Sequence, residues 1–373
     1  VFLPRGLKQS GRVAAVFLAV PLLAWTWLPA LAAKADREKP EARYYEKTLN
    51  GDIQCLLCPR ECVIPEGQVG NCRVRKNVKG KLVPLTYAQP CSVNVDPIEK
   101  KPLFHFLPGT PTLSIATVGC NLRCVFCQNW SISQAEPADV PTRKLYPEQV
   151  VALAKKNACP SLSYTYSEPT VFYEYMYDTA WLARQHGLRN VAVTCGYINP
   201  EPLKKLCTVL DAANVDLKGF TDKSYRLLAA AKLAPLLQAL KIYRQNGVWL
   251  EVGYLVIPTV NDDPKEIRAM TDWVVKNLGP DVPVHFLRFF PNHKLTRLPP
   301  TPVKTLEQAV AIAKKSGVHF VYLGNVPGNR YNHTYCPHCG KLLIKRQGYF
   351  IESMNVVDGR CKYCGQKIPG VWK

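Results

Sequence analysis

The chain is predicted to be an α/β protein, a partial (β/α) barrel carrying an amino-terminal cysteine-rich module and a carboxy-terminal zinc-ribbon-like module. Three observations carry that prediction. From Pro111 onward, short apolar or β-branched runs alternate with longer helical patterns, the signature of βα units around a parallel sheet. Cysteines cluster at short spacings both before and after that region. The units number six or seven over about 215 residues, fewer than a full eight-unit barrel, which typically takes about 250.

The candidate strands are Thr112 to Val118, Ser161 to Tyr166, Asn190 to Thr194, Ala213 to Leu217, Val248 to Ile257, Val284 to Phe289 and Val318 to Leu323. Between and after them lie candidate helices at Pro147 to Asn157, Val171 to His186, Glu201 to Cys207, Ser224 to Ala230, Pro235 to Asn246, Asp263 to Asn277 and Val303 to Ser316. In such folds the active site belongs at the carboxyl ends of the strands. The expected divisions are 1–33 for a leader, 34–47 for a charged linker outside any core, 48–110 for the cysteine-rich module, 111–330 for the barrel and 331–373 for the last module.

Of 373 residues, 47% are hydrophobic and 20% charged, which excludes bulk disorder and collagen-like structure. Lys plus Arg minus Asp plus Glu gives 48 − 28 = +20. Such a surplus suits an acidic partner or simply a soluble basic surface. No Lys/Arg-rich block with interleaved aromatics stands out, so nucleic acid is disfavoured as a partner.

Arg5, Lys8 and Arg12 precede the uncharged stretch Val13 to Ala33, which ends in Pro29-Ala30-Leu31-Ala32-Ala33. A basic start, an apolar middle and a small-residue exit read as an export signal, with an uncleaved membrane anchor or a spurious extension as alternatives. Val1-Phe2-Leu3 is compatible with the tail of a twin-arginine signal. The expected location is exported or membrane-anchored if that leader is real, otherwise cytoplasmic.

The fifteen cysteines are far more than packing requires of a reduced intracellular enzyme. Cys120, Cys124 and Cys127 follow the first candidate strand within Gly119 to Trp130, at the mouth of the barrel. Three thiolates can hold three corners of a cubane cluster and leave one iron open for a substrate or cofactor. Cys-x3-Cys-x2-Cys in this position resembles the radical S-adenosylmethionine (radical SAM) superfamily. Taken together, Cys55 to Arg75, Asp96 to Gly109, Gly119 to Gln134, Tyr164 to Thr170 and the tail Asn332 to Trp372 resemble the radical enzyme of the AmmeMemoRadiSam system, a relative of the pyruvate formate-lyase activating enzymes.

That resemblance implies a 4Fe–4S cluster on Cys120, Cys124 and Cys127, and S-adenosylmethionine as cofactor. It also implies a low-potential electron donor and an unidentified substrate, with a protein among the candidates. Ser167-Glu168-Pro169 resembles the Gly-Gly-Glu-Pro motif that fixes the cofactor's amino group, although Tyr166 and Ser167 stand where the glycines would be. A plain helix start at Glu168 is compatible with that role. Thr194-Cys195-Gly196 stands where relatives have Thr-Asn-Gly, and Asp216-Leu217-Lys218 resembles their Asp-x-Lys, whose Lys contacts the cofactor carboxylate. A structural ion pair is the alternative for Asp216 and Lys218. Catalytic roles thus fall to the three cysteines and Lys218, and cofactor contacts to Ser167, Glu168, Thr194, Asp216 and Lys218. His285, Arg288 and His293 are weaker candidates for the adenosine or substrate end, with a surface or packing role as the favoured alternative.

Cys336-x2-Cys339-Gly340 and Cys361-x2-Cys364-Gly365 form two knuckles, whose glycines permit the tight turn beneath a four-thiolate ion. Zinc is expected there, with rubredoxin-type iron as the alternative. Cys55, Cys58, Cys62 and Cys72 form another set of four whose spacing suits a second metal site, zinc or a further iron–sulfur cluster, without deciding between them. Cys91, Cys159 and Cys207 are expected as buried thiols. The rival readings of the whole chain are an iron–sulfur or rubredoxin-like electron carrier and a zinc-ribbon nucleic-acid binder.

Overall fold

The computed structural model describes residues 39–373. The expected leader lies outside the described residues, and among those described no helix is long and apolar enough to cross a membrane. One eight-stranded sheet organises the chain. In chain order its strands are β1 (Ser92–Pro97), β2 (Pro111–Ala116), β3 (Ser161–Tyr164), β4 (Arg189–Thr194), β5 (Ala212–Leu217), β6 (Trp249–Val256), β7 (Val284–Arg288) and β8 (Val321–Gly324). They stand side by side in that same order, with β2 to β8 parallel and β1 antiparallel along β2. The end strands do not pair, so the barrel stays open.

The parallel strands are apolar because both faces are covered. Ser161–Tyr164 is buried at every position, and in Ala212–Leu217 only Asp216 is partly exposed. Among the described residues seven helices of eight residues or more connect them, besides the single turn Trp130–Ser133: α1 (Pro147–Lys156), α2 (Tyr173–Gln185), α3 (Pro200–Cys207), α4 (Asp222–Ala229), α5 (Leu233–Gln245), α6 (Pro264–Leu278) and α7 (Val303–Lys315). Local chemistry fixes where they begin. The Thr221 side chain accepts from Ser224 N, Asp263 accepts from Lys265 N, and Pro occupies the first turn of α1, α3 and α6.

Two expectations need correction. Residues 39–47 are no free linker: Ala42 is buried, the Arg43 amide donates to Glu174 Oε1 at 2.8 Å, and Tyr45–Lys47 pairs with Ile53–Cys55. The cysteine-rich region also does not run unbroken to residue 110, because Ser92–Pro97 leaves it to join the main sheet. Its remaining strands form a three-stranded sheet and the Arg75–Val78/Lys81–Pro84 hairpin.

The two flanking modules sit at opposite ends of the sheet. At the carboxyl end, Arg60 of the amino-terminal module donates to the Asn121 carbonyl at 2.9 Å, and Asn199 beyond β4 donates to the carbonyls of Leu57 and Leu56. At the amino end, Glu251 near the start of β6 accepts from the amides of Phe104 and His105. Phe104 then packs with Phe320 and Tyr322 at β8 and with Leu343 and Ile344 of the carboxy-terminal module.

Candidate functional site

The loop 117–129 leaves β2 at its carboxyl end, and its backbone is pinned on several sides. Arg123 N donates to Ala229 O and Val125 N to Leu228 O, both at 3.0 Å, so the end of α4 acts as a template for the loop. Gly119 lets the loop approach the cysteine-rich module, since a Cβ there would stand 2.8 Å from the Cys72 carbonyl oxygen. Cys120, Cys124 and Cys127 are all half-buried, and the charges of Cys124 and Cys127 both bear on Cys120. Leu122 N donates to Cys120 Sγ at 3.3 Å, and Ser133 Oγ lies 3.3 Å from Cys127 Sγ.

Burial pushes the Cys124 thiol up to about 12, against the pull of the Lys218 ammonium, and raises Cys120 well above the ordinary range. Metal ligation at these positions therefore expels protons from the site. Among the described residues these three sulfurs do not gather within 4.8 Å of one another as those of the carboxy-terminal tetrad do. Three thiols on one loop can hold three irons of a cubane and leave the fourth iron open.

The other candidates arrive from neighbouring strand ends. Glu168, 2% exposed, follows β3 and starts the 3-10 turn Pro169–Phe172. Its Oε1 accepts from Thr170 N, Thr170 Oγ1 and, at 2.6 Å, Thr194 Oγ1 at the end of β4. Among the described residues its Oε2 accepts from Cys195 N at 2.8 Å, and a carboxylate oxygen has capacity for a further donor. The helix-start and site readings of Glu168 are thus both compatible with its geometry. The Ser167 hydroxyl is committed elsewhere, donating to Thr117 O at 2.7 Å. Cys195 is buried, with its thiol 3.8 Å from Asn121 Oδ1.

Lys218, just past β5, donates to Asp216 Oδ2 at 3.0 Å. Burial alone would lower the Lys218 ammonium, but Asp216 and Cys124 outweigh it and hold its pKa above the ordinary value. The chain thus brings Lys218, Asp216 and Glu168 to bear on Cys124, and Glu168 and Cys195 on Cys120.

Residues 114–271 match the Radical SAM superfamily. An uncharacterized protein from Methanocaldococcus jannaschii is 47% identical over 330 residues, which is 88% of this chain and 98% of that one. The chain belongs to the radical SAM superfamily. Pyruvate formate-lyase-activating enzyme from Clostridium pasteurianum is 21% identical over 180 residues, 46% of this chain and 71% of that protein. A radical SAM methyltransferase from Sphaerobacter thermophilus aligns with a TM-score of 0.46 and 16% identity over 64% of this chain and 71% of its own.

Not every candidate lies at the mouth of this radical SAM fold. His285 falls one residue into β7, at the opposite end, where its Nε2 meets the buried Glu251 carboxylate at 2.6 Å. Glu251 also accepts from Trp249 Nε1, so this cluster ties the barrel floor together. Arg288 donates to Thr301 O at 2.9 Å, and His293 stacks on Trp130 beside the cysteine loop with ring centroids 5.3 Å apart. Cys159 and Cys207 are buried, whereas Cys91 is only partly so.

One cluster had no counterpart among the candidates. Tyr166 adopts φ +65°, its carbonyl accepts from Asn129 Nδ2 of the cysteine loop, and its hydroxyl donates to Asp96 Oδ2. Asp96 also accepts from Lys100 and from the buried Lys101 at 2.8 and 2.6 Å, and the Lys101 ammonium lies 4.6 Å from the centre of the Tyr166 ring. Tyr166 thereby links the cysteine loop to the β1 edge.

Cys336, Cys339, Cys361 and Cys364 gather at the far end, all four sulfurs within 4.8 Å of one another. The Cys336–Cys364 and Cys339–Cys361 sulfurs are 3.7 and 3.8 Å apart. A tetrahedral ion with metal–sulfur bonds of about 2.3 Å places its sulfurs about 3.8 Å apart, so the set fits one such ion.

Proposed function

We propose that this chain is a radical SAM enzyme that cleaves S-adenosylmethionine reductively and abstracts hydrogen from a substrate. The observation that carries the reading is the convergence of Glu168, Thr194, Asp216 and Lys218, from three neighbouring strand ends, on a three-thiol loop with no fourth cysteine ligand in its motif. When bound, a reduced 4Fe–4S cluster supplies one electron to S-adenosylmethionine, giving methionine and a 5'-deoxyadenosyl radical that takes a hydrogen atom from the substrate.

The chain's own residues hold and orient. Lys218 offers a positive charge to the cofactor carboxylate, and Asp216 sets its direction through the 3.0 Å bond. Glu168 Oε2 offers an acceptor for the cofactor ammonium or a ribose hydroxyl, while Thr194 and Cys195 N fix the carboxylate's plane. An activase-like role on a protein is supported by the likeness to pyruvate formate-lyase-activating enzyme. Zinc is the ion we assign to the carboxy-terminal tetrad, on the fit of its sulfur spacing.

The test is anaerobic reconstitution with iron and sulfide, then dithionite and S-adenosylmethionine. Formation of 5'-deoxyadenosine and methionine, lost in Cys124→Ala, is expected. A reducible cluster without cofactor cleavage would move the chain to the electron-carrier class.

A further inference from the structure

We propose that Cys55, Cys58, Cys62 and Cys72 hold a second 4Fe–4S cluster, fully ligated by protein and separated from the first site by Asn121. The spacing of these cysteines left zinc and iron–sulfur equally open; the geometry distinguishes them.

The four cysteines line one cavity, together with Arg60, Ile64, Gly70, Asn71, Arg75 and Asn121. The space between its walls, counted with its open side, is ≈ 360 Å³. Their charges bear on one another, Cys58 with Cys55 and Cys72, and Cys72 with Cys55 and Cys62. They nevertheless do not draw in as the carboxy-terminal tetrad does, whose sulfurs all lie within 4.8 Å. One chain therefore builds two four-thiol sets of different size. The compact one fits a single ion; the other, lining one cavity, offers four separate thiolates, one for each iron of a cubane.

The walls are furnished for an anionic occupant. Arg75 is 2% exposed, and its Nε is buried with no hydrogen-bond partner, although its other nitrogens are held by Glu174 and the Arg43 carbonyl. Leaving such a donor unmade costs about 1–3 kcal/mol, a cost relieved by an acceptor in the cavity. The charges of Cys55 and Cys72 both bear on Arg75. A backbone amide also reaches one of the sulfurs: Asn71 N donates to Cys62 Sγ at 3.4 Å. Donors of this kind tune iron–sulfur potentials. Gly70 keeps the wall open, since a Cβ there would come 3.7 Å from Cys62 Sγ and 3.1 Å from Ile64 Cδ1.

Asn121 follows Cys120 directly; it lines the cavity together with Cys58, and its Oδ1 lies 3.8 Å from the Cys195 thiol. The proposed cluster would thus adjoin the first without sharing a ligand. The claim does not depend on cofactor cleavage, and the test separates the two. In the full-length chain, a Cys120→Ala/Cys124→Ala/Cys127→Ala variant removes the first site and leaves the second intact. After anaerobic reconstitution it should retain about four iron and four sulfide per chain. On reduction it should give a paramagnetic resonance signal that S-adenosylmethionine does not perturb, because no iron is open. Adding Cys58→Ser and Cys62→Ser should abolish both.

A triple variant that takes up no iron, whether it holds extra zinc or no added metal, overturns the proposal. Because that variant leaves the amino-terminal cysteines untouched, a folding failure of the five-fold variant does not obscure the answer. Iron in the triple variant combined with no cofactor cleavage by the wild type would sink the radical reading and keep this one.

Discussion

Gly253 on β6 stands beside Asp216 on β5, and a Cβ built on it would lie 2.5 Å from Asp216 Oδ1. The parallel register makes these two residues neighbours, and the missing side chain is the room in which the Asp216 carboxylate turns toward Lys218. The two strands therefore leave a slot shaped for one charged pair.

Gly253→Ala should close that slot. Overpacking of this kind costs about 1–3 kcal/mol, measurable by denaturant unfolding, and the displaced carboxylate should weaken S-adenosylmethionine binding about tenfold, the worth of one hydrogen bond. In an Asp216→Ala background the same substitution should cost little. A full penalty there would show that the slot serves packing and not the carboxylate.

Lys218→Ala should leave the iron–sulfur absorbance unchanged while weakening cofactor binding roughly ten- to a hundred-fold, since a charge-assisted hydrogen bond contributes about 1.5–3 kcal/mol. Asp216→Asn should do the same more mildly, because it removes the charge that orients Lys218 but keeps one side-chain oxygen able to accept from it. Calorimetric titration of each variant with S-adenosylmethionine measures this. Wild-type affinity in Lys218→Ala would return the pair to a structural role.

The seven parallel strands and seven helices were legible because strands covered on both faces read as apolar runs, and the helices between them keep their periodicity. Ser92–Pro97 was not, because an edge strand with half-exposed, polar positions and a terminal proline has no such signature. Residues 41–47 read as a linker because their partners, Tyr173 and Glu174, lie about 130 positions away. For His285 the sequence left a site role and a packing role open: a polar residue at the amino end of β7 belongs to the floor, and only the strand's exact start reveals that. The Tyr166–Asp96–Lys101 cluster needs a fold to bring positions 70 apart together. Likewise the spacing of the amino-terminal cysteines carries no measure of the cavity they surround.

Asp96 gives the stability of the chain a dependence on acid. Burial would raise its carboxyl, but hydrogen bonds from Lys100, Lys101 and Tyr166 outweigh that and hold it well below the ordinary carboxylate range. A carboxyl depressed in the folded state contributes stability above its unfolded pKa and loses it as the pH falls toward the folded value. Asp96→Asn should be less stable than wild type at pH 7, and the gap should narrow below about pH 4, where the unfolded Asp takes up its proton. Denaturant midpoints at a series of pH values check this. A gap constant from pH 7 to pH 3 would mean that Asp96 acts through shape and not through charge.

The carboxy-terminal tetrad should be separable from the chemistry because it lies at the other end of the sheet. Its sulfurs belong to a cluster with Phe104, Phe320 and Tyr322, and Phe104 is held by Glu251 near the start of β6, whereas the three-cysteine loop leaves the carboxyl end of β2. The buried Arg346 strengthens that junction, donating to Phe104 O at 2.8 Å and to Thr334 Oγ1 at 2.9 Å. A metal ion there contributes folding energy, since its four ligands come from two knuckles that the chain must otherwise hold together alone. Cys336→Ser/Cys361→Ser should therefore lose one ion per chain by elemental analysis and lower the melting temperature by about 5 °C or more, as a loss of a few kcal/mol does in a chain of this size. Protein of that variant which remains folded should still cleave S-adenosylmethionine at a rate near wild type. Loss of cleavage with an intact fold would mean that the floor of the barrel communicates with its mouth, and unchanged metal content would mean that the ion is held elsewhere.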